Sequence, residues 1–241
     1  MNLLKRLVTL PSDLMNSYFD LYTGARNRPK FFDVDIIQPE LRAFEHNFDT
    51  IREELENLIK QYRIPAYEEV DKFQYDHSEP KTKWKVFLLY MMGEFPGISQ
   101  IHCPKTCELI KNQPNVFQAL FSVLEPGRSV PAHKGPYKGY IRYHLGMKVP
   151  KDAPPSIRIE DEHYTWKERE SMIFDDTWDH EVYNESKEER IVLMIDIFRP
   201  MPRIPDAINR FITKYVIKPG YAKSAIKNQA QHVKKLETAV D

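Results

Sequence analysis

Net charge is the first thing this sequence lacks: 35 Lys and Arg balance 35 Asp and Glu over 241 residues. Affinity for a phosphate backbone rests on clustered cationic side chains, so a general polyanion binder is excluded and nucleic acid is not an expected partner. Cysteine is scarce as well. Cys103 and Cys107 are too few for a disulfide framework or a four-cysteine zinc site, and they fit a reducing compartment. The eight glycines include no pair two apart, which removes GxGxxG, and neither GxxxxGK nor GxSxG occurs. The longest apolar run, Val86 to Met92, is far below the roughly 18–20 residues of a membrane span, so no transmembrane helix is expected. Pro11 cuts the apolar N-terminus MNLLKRLVTLP short of signal-peptide length, and the expected location is the cytoplasm.

What is present divides by texture. Residues 39–62 space Leu41, Phe44, Phe48, Ile51, Leu55 and Ile59 three to four apart, the period of one amphipathic helix. PKTCELIK (104–111) reads as a shorter helix opened by proline in its first turn. From 117 onward come short β-rich runs, FQALFSVL (117–124), YIRYHLGMKV (140–149), SIRIE (156–160), SMIF (171–174) and RIVLMIDIF (190–198), separated by polar turn clusters. Short strands at this spacing predict an antiparallel sandwich or barrel, with a jelly roll as the leading form. The expected class is α+β with a mainly β core, packed N-terminal helices and a helical, basic C-terminal tail. The expected division is an N-terminal arm over 1–35, a central domain over 36–202 and the tail over 203–241.

The β segment concentrates candidate metal ligands. His133 lies in SVPAHKGPYKG, His144 in IRYHLG and His180 in FDDTWDHEVYN. Neutral imidazole suits Fe(II), and an iron oxygenase needs a few fixed ligands with other positions open. Arg190, ten residues after His180, can return on the next strand and grip a dicarboxylate with both guanidinium edges. Together these describe an oxygenase that uses 2-oxoglutarate. His46, His77, His102, His163 and His232 sit in helical, polar or loop contexts and read as ordinary histidines. Cys103 and Cys107 read as plain thiols, and Trp166 and Trp178 as packing anchors. Tyr137 and Tyr143 could border the pocket. Asp196, on the same strand face as Arg190 by parity, could orient that arginine or a ligand histidine, or lie on the surface.

The ordered segments PKTCEL (104–109), FSVLEPG (121–127), PAHKGP (131–136), IRYHLGMKVP (141–150), YTWKE (164–168), IFDDTWDHEVYN (173–184) and ERIVLMIDIFRP (189–200) closely resemble the aspartyl/asparaginyl β-hydroxylase family. The resemblance spans about residues 80–202. It implies a double-stranded β-helix (jelly-roll) dioxygenase that uses Fe(II), dioxygen and 2-oxoglutarate to hydroxylate an unactivated C–H. It further implies His133 and His180 as iron ligands, Arg190 as the clamp on the distal carboxylate of 2-oxoglutarate, and Ser122, Arg142, His144 and Trp84 as further cosubstrate contacts. Position 135, two after the first ligand, is where most enzymes of this chemistry carry a third, carboxylate ligand. Here it is glycine. The family shares that departure, with water where the carboxylate would be; the alternative is that Asp175 or Asp176 swings in as the third ligand.

The family includes hydroxylases of Asp or Asn side chains in proteins and others acting on lipid acyl chains, of lipid A or ornithine-lipid type. PYKG followed by RYHLG is closer to the lipid-acting branch. Charge is unevenly distributed: five basic and two acidic residues in 1–30, eight and three in 201–241, and 22 and 30 in the remainder. Basic ends, with the leucines of 3–10, could hold the protein peripherally at an anionic membrane; a solvated tail is the alternative. The rival to an enzyme is a catalytically silent jelly-roll protein that binds a metal or ligand, which a missing histidine or arginine would betray. All three are intact.

Overall fold

The computed structural model describes residues 3–71 and 84–237, with the side chains of 13–71 and 84–232. Helices come first: α1 Leu3–Thr23, α2 Val34–Ile37, α3 Arg42–His46, α4 Phe48–Gln61 and α5 Tyr67–Val70, with the short strand β1 Phe31–Phe32 ahead of α2. Strand β2 (Trp84–Met91) leads to α6 Gly97–His102 and α7 Pro104–Lys111. Then follow β3 Val116–Leu124, β4 Val130–His133, β5 Tyr140–Lys148, β6 Ser156–Ile159, β7 Glu162–Thr165, β8 Ser171–Phe174, β9 His180–Tyr183 and β10 Arg190–Phe198. Helix α8 (Arg203–Ile212), a π-helical turn over Thr213–Ile217 and α9 (Lys218–Glu237) close the described chain.

The strands form two antiparallel sheets, a larger one in the order β1-β8-β5-β10-β3-β2 and a smaller one in the order β4-β9-β6-β7. This is the jelly-roll core expected from the turn spacing, with helices before and after it. Side chains alternate across each strand, and β10 shows the consequence. Ile191, Leu193, Ile195 and Ile197 join Phe44, Phe48, Ile51 and Leu55 of α3 and α4 in one apolar cluster. Val192 and Met194 join Ile157, Ile159 and Val182 of the smaller sheet in a second cluster, so they point between the sheets. Both faces of the larger sheet are therefore buried, and its strands read as continuous apolar runs.

The single helix expected over 39–62 is broken. Asn47 adopts φ −105°, ψ 22° between α3 and α4, and its side-chain amide donates to the Ala43 carbonyl at 2.8 Å. This is the competition with the helical backbone that makes asparagine a poor interior residue. Helix α7 starts and ends at the expected residues, and the Glu54 carboxylate accepts from the Lys105 and Thr106 amides at its first turn (2.7 and 2.9 Å). The arm expected over 1–35 contains α1, which runs through Pro11. The side chains of the leucines in 3–10 lie outside the described residues, as do His77 and the rest of residues 72–83. Cys103 and Cys107 are buried free thiols, and burial pushes the Cys107 thiol up to about 12. That environment makes them inert.

The C-terminal helices are fastened to the barrel. Gln229 accepts from the Leu88 amide and donates to the Leu88 carbonyl (2.6 and 3.0 Å), using backbone groups that β2 leaves open at the sheet edge. Asn209 donates to the Gly139 carbonyl at 2.6 Å and accepts from the Tyr137 hydroxyl at 2.7 Å. Tyr137 is thus a brace between α8 and the barrel and does not border the pocket. Tyr143 also turns away, toward Phe44 under the helices (6.1 Å between ring centroids).

Candidate functional site

The site forms where the interior face of the larger sheet meets the end of the smaller one. His133 on β4 stands directly opposite His180 on β9, with ring centroids 4.2 Å apart. Each imidazole is fixed in the same way, with Nδ1 against the carbonyl two residues earlier: Pro131 at 2.8 Å for His133, Trp178 at 2.9 Å for His180. A carbonyl only accepts, so Nδ1 carries the proton and Nε2 keeps a free lone pair. Burial takes His180, 3% exposed, down to about 3, and desolvation also lowers His133, although that residue is exposed at the end of β4. A pair of neutral imidazoles with oriented, unprotonated Nε2 atoms has the chemistry to hold a metal ion.

From His180 the site extends inward through aromatic rings. Phe174 lies edge-on to His180 (6.1 Å) and to His144 (5.0 Å), and His144 lies over Trp166 (5.8 Å, 28°). The Arg190 guanidinium covers Trp166 at 4.8 Å. Arg190 is 2% exposed, its Nε and Nη1 have no hydrogen-bond partner, and burial lowers its pKa to about 9. Both ring nitrogens of His144 and the Trp166 indole N–H are buried and unpartnered as well. A buried, unpaired guanidinium costs free energy that natural folds rarely leave uncompensated. An anion bound there would compensate it.

Ser122 and Trp84 form the adjoining wall. They lie on neighbouring strands facing the interior, and the Trp84 indole donates to the Ser122 hydroxyl at 2.8 Å. Both flank Leu124, the cross-strand partner of Arg190 and of Trp84. Tyr67 of α5 stacks on Trp84 (4.1 Å, 16°) and donates to Asp71 at 3.1 Å. Asp71 also accepts from the Tyr221 hydroxyl of α9.

Arg142 is placed inside, but it is not free. Its Nε and Nη2 donate to Asp196 (2.7 and 3.0 Å) and its Nη1 meets Asp176 Oδ2 at 3.1 Å. Gln118 also donates to Asp196 at 2.8 Å. Asp196 therefore orients Arg142, correcting the expectation that it serves Arg190 or a histidine; it is wholly buried, not a surface residue. Register explains the choice, because Asp196 pairs across strands with Arg142, while Arg190 lies six residues away at the other end of β10.

The two candidates for a third ligand divide. Asp175 makes the local turn expected of it, accepting from the Thr177 amide and hydroxyl (3.0 and 2.6 Å), and its other oxygen meets Arg28 and Arg199, each at 2.8 Å. Asp176 is 1% exposed, and its Oδ1 has no partner. A Cβ at Gly135 would fall 2.5 Å from the Asp176 Cγ and Oδ2. The Asp176 carboxylate thus occupies the space that a side chain two residues after His133 would claim. Among the described residues no group of three His, Cys, Asp or Glu comes together as a metal site, so neither aspartate joins the histidine pair. Three interior carboxyl and guanidinium groups share one positive charge between two acids, and burial raises the Asp176 carboxyl to about 7.

The sequence reading left out Tyr67 and assigned Trp166 to packing alone. Trp166 is 1% exposed and also forms the surface between His144 and Arg190. Trp178, by contrast, is a packing residue, with the Arg28 guanidinium 3.7 Å above it.

The profile of the family described as Aspartyl/Asparaginyl beta-hydroxylase matches residues 45–200. This chain belongs to that family. It is 31% identical over 199 residues to an ornithine lipid ester-linked acyl 2-hydroxylase of Rhizobium tropici, covering 82% of this chain and 70% of that protein. It is 29% identical to the human aspartyl/asparaginyl beta-hydroxylase over 66% of this chain but 21% of that protein. It is 30% identical to human aspartate beta-hydroxylase domain-containing protein 2 over 79% of this chain and 52% of that one. The chain thus spans about a fifth and a half of the human relatives. Among solved structures it is similar to the Cupin_2 domain of an XRE family transcriptional regulator from Enterobacter cloacae, at 13% identity and a TM-score of 0.34, over 48% of this chain and 98% of that one. Among the described residues no helix is long and apolar enough to cross a membrane.

Proposed function

We propose that this member of the hydroxylase family is an Fe(II)- and 2-oxoglutarate-dependent dioxygenase that hydroxylates an unactivated C–H of a lipid acyl chain. The observation that carries the cosubstrate is Arg190, buried and unpaired at the far end of a chain of rings, Trp166, His144 and Phe174, that leads to the His133–His180 pair. His133 and His180 would hold the iron through Nε2. When bound, iron would activate dioxygen, the oxidant: one oxygen would enter the product as hydroxyl and the other succinate, while 2-oxoglutarate, the second reductant, would lose carbon dioxide.

The chain's own residues supply position and charge. Arg190 would pair with the distal carboxylate of 2-oxoglutarate, a charge-assisted bond strengthened by the dry interior. Ser122 and Trp84 stand at that end of the cavity, and Trp166 and His144 line the way to the histidines. Arg142, held by Asp196 and Asp176, contributes positive charge without being free to follow a ligand. The Pro131 and Trp178 carbonyls hold the two imidazoles in the metal-binding tautomer. The Phe174 and Trp166 rings keep the path between the two ends apolar.

The extent of the likeness to the Rhizobium tropici protein, 82% of this chain, favours the acyl-chain substrate. An Asp or Asn side chain of a protein is the second reading, supported by likeness to the human hydroxylase over 66% of the chain. Anaerobic reconstitution with iron followed by succinate measurement tests both. Succinate should form with 2-oxoglutarate and a lipid acyl substrate and not with Asp/Asn peptides. Failure to bind either iron or 2-oxoglutarate would leave the silent jelly-roll protein in its place.

A further inference from the structure

Large apolar side chains with high exposure are few among the described residues, and four of the nine fall within thirteen consecutive positions of the C-terminal helices: Ile204 (71%), Phe211 (60%), Tyr215 (57%) and Val216 (60%). They lie opposite the residues that fasten α8. Pro205, Asn209 and Thr213 are the buried ones, at helical spacing, with Asn209 bonded to the barrel. Ile204 and Phe211 lie about 140° and 160° around the helix from Asn209 at roughly 100° per residue. The π turn over Thr213–Ile217 widens the helix there, and Tyr215 and Val216 both emerge. Phe211 and Tyr215 touch each other, with centroids 4.9 Å apart.

The charge around this stripe is mostly positive, although Lys218 is paired with Glu94 at 3.3 Å. From Arg203 to His232 there are six basic residues, Arg203, Arg210, Lys214, Lys218, Lys223 and Lys227, against one acidic, Asp206. Asp206 is already paired with Arg210 at 2.9 Å, and the Lys214 ammonium lies 5.1 Å over the Tyr215 ring. Equally exposed Ile36 sits in the opposite setting, next to Asp35 and three residues after Asp33.

We propose that the outer face of α8 and the π turn is a docking surface for an anionic lipid bilayer. An aliphatic and aromatic stripe flanked by cations is what settles at the boundary between headgroups and acyl chains. A second protein is the poorer fit: a stable interface takes roughly 20–30 residues a side, and this stripe is four side chains along about 20 Å of helix. Its position also relates to the site. Asn209 and the Tyr137 hydroxyl tie α8 to residues 137–139, the segment that continues from exposed His133. Docking through α8 would bring residues 133–139 toward the bilayer. The proposal stands on exposure and charge, not on turnover, so its failure and that of the hydroxylase reading are separable.

The test is co-sedimentation of the full chain with vesicles of phosphatidylethanolamine and phosphatidylglycerol, and with pure phosphatidylcholine vesicles. Binding to the anionic vesicles alone is expected. It should fall about tenfold or more in Phe211→Asp and in Ile204→Asp, and stay unchanged in Ile36→Asp. Because 204 and 211 are exposed, unchanged circular dichroism should accompany the loss. A Tyr215→Trp variant should also show fluorescence quenching by lipids brominated near the headgroup end of the chain. Wild-type binding to neither vesicle, or Phe211→Asp binding as wild type does, overturns the proposal. So does a wild-type dimer in solution that Phe211→Asp converts to a monomer, since a second copy would then cover the face.

Discussion

The two faces of strand β10 differ more than any two distant parts of the protein. Its odd positions, Ile191, Leu193, Ile195 and Ile197, are apolar and packed under α3 and α4. Its even positions face the barrel interior and include Arg190, unpaired, and Asp196, held by Arg142 and Gln118. One stretch of backbone thus carries stability on one side and an energetically costly polar interior on the other. The contrast teaches where a binding site can form in this barrel: on the face where polar groups are buried without being fully satisfied.

The largest expected effects lie on the interior face. His180→Ala should lower succinate formation by more than the roughly 10–100-fold that even the hydrogen-bond partner of a metal ligand contributes, with iron binding lost in parallel. Arg190→Met should abolish turnover at ordinary 2-oxoglutarate concentrations while leaving the unfolding free energy unchanged or raised by on the order of 1 kcal/mol, because a buried unpaired charge is removed. A clear loss of stability in Arg190→Met would mean that the guanidinium is satisfied within the protein, and the contrast between faces would fail.

The helix-covered face should behave in the opposite way. Leu193 is wholly buried, so Leu193→Ala should cost about 2–5 kcal/mol of folding free energy and leave activity per folded molecule near wild type. Urea titration together with activity normalised to folded protein separates the two. A Leu193→Ala enzyme that is stable but inactive would show that the apolar face is part of the site.

This division explains what could be read from the sequence. The continuous apolar runs of β3, β5 and β10 were visible because both faces of those strands are buried, and the few polar residues in them, Ser122, Arg142, His144, Arg190 and Asp196, stood out for the same reason. Strands β4, β7 and β9 were not visible as strands. They are four residues each, and β4 and β7 lie at the edges of the smaller sheet with mostly exposed residues, too short for an alternation to signal. The break at Asn47 was masked by an apolar period that continues in phase across it. Partner choice inside the barrel was also illegible: parity placed Asp196 and Arg190 on one face, but register, which parity does not contain, gave Asp196 to Arg142. The role of Asp176 depends on the close approach of two segments forty residues apart, 135 and 176. Sequence spacing cannot show that approach, although a glycine where a carboxylate is usual was its one visible trace.

That approach gives a smaller but sharper test of how tightly the interior is fitted. A methyl group at position 135 would lie 2.5 Å from the Asp176 carboxylate, so Gly135→Ala should destabilise by about 1–3 kcal/mol through overpacking. In an Asp176→Ala background the same substitution should cost much less. The difference between the two costs is the coupling energy of the pair. Additive effects in the four-way comparison would mean that the two segments can separate without strain.

The smallest effect concerns the proton on Asp176. Arg142 carries one positive charge between two buried carboxylates, and Asp196 has the better set of donors. The second carboxyl keeps its proton to about pH 7, held there chiefly by burial. This folded value lies above that of an ordinary aspartate, so the unfolded chain binds fewer protons between the two values and stability falls as pH rises through that window. The contribution is fully present below about pH 4 and lost above about pH 7. Asparagine cannot ionise. Between about pH 5 and pH 8, the stability of Asp176→Asn relative to wild type should therefore improve, by on the order of 1 kcal/mol. Parallel pH curves for the two proteins would show instead that Asp176 is ionised throughout and fully paired with Arg142. The interior face would then hold one unsatisfied group fewer, leaving Arg190 and His144 to carry the contrast with the apolar side of the same strands.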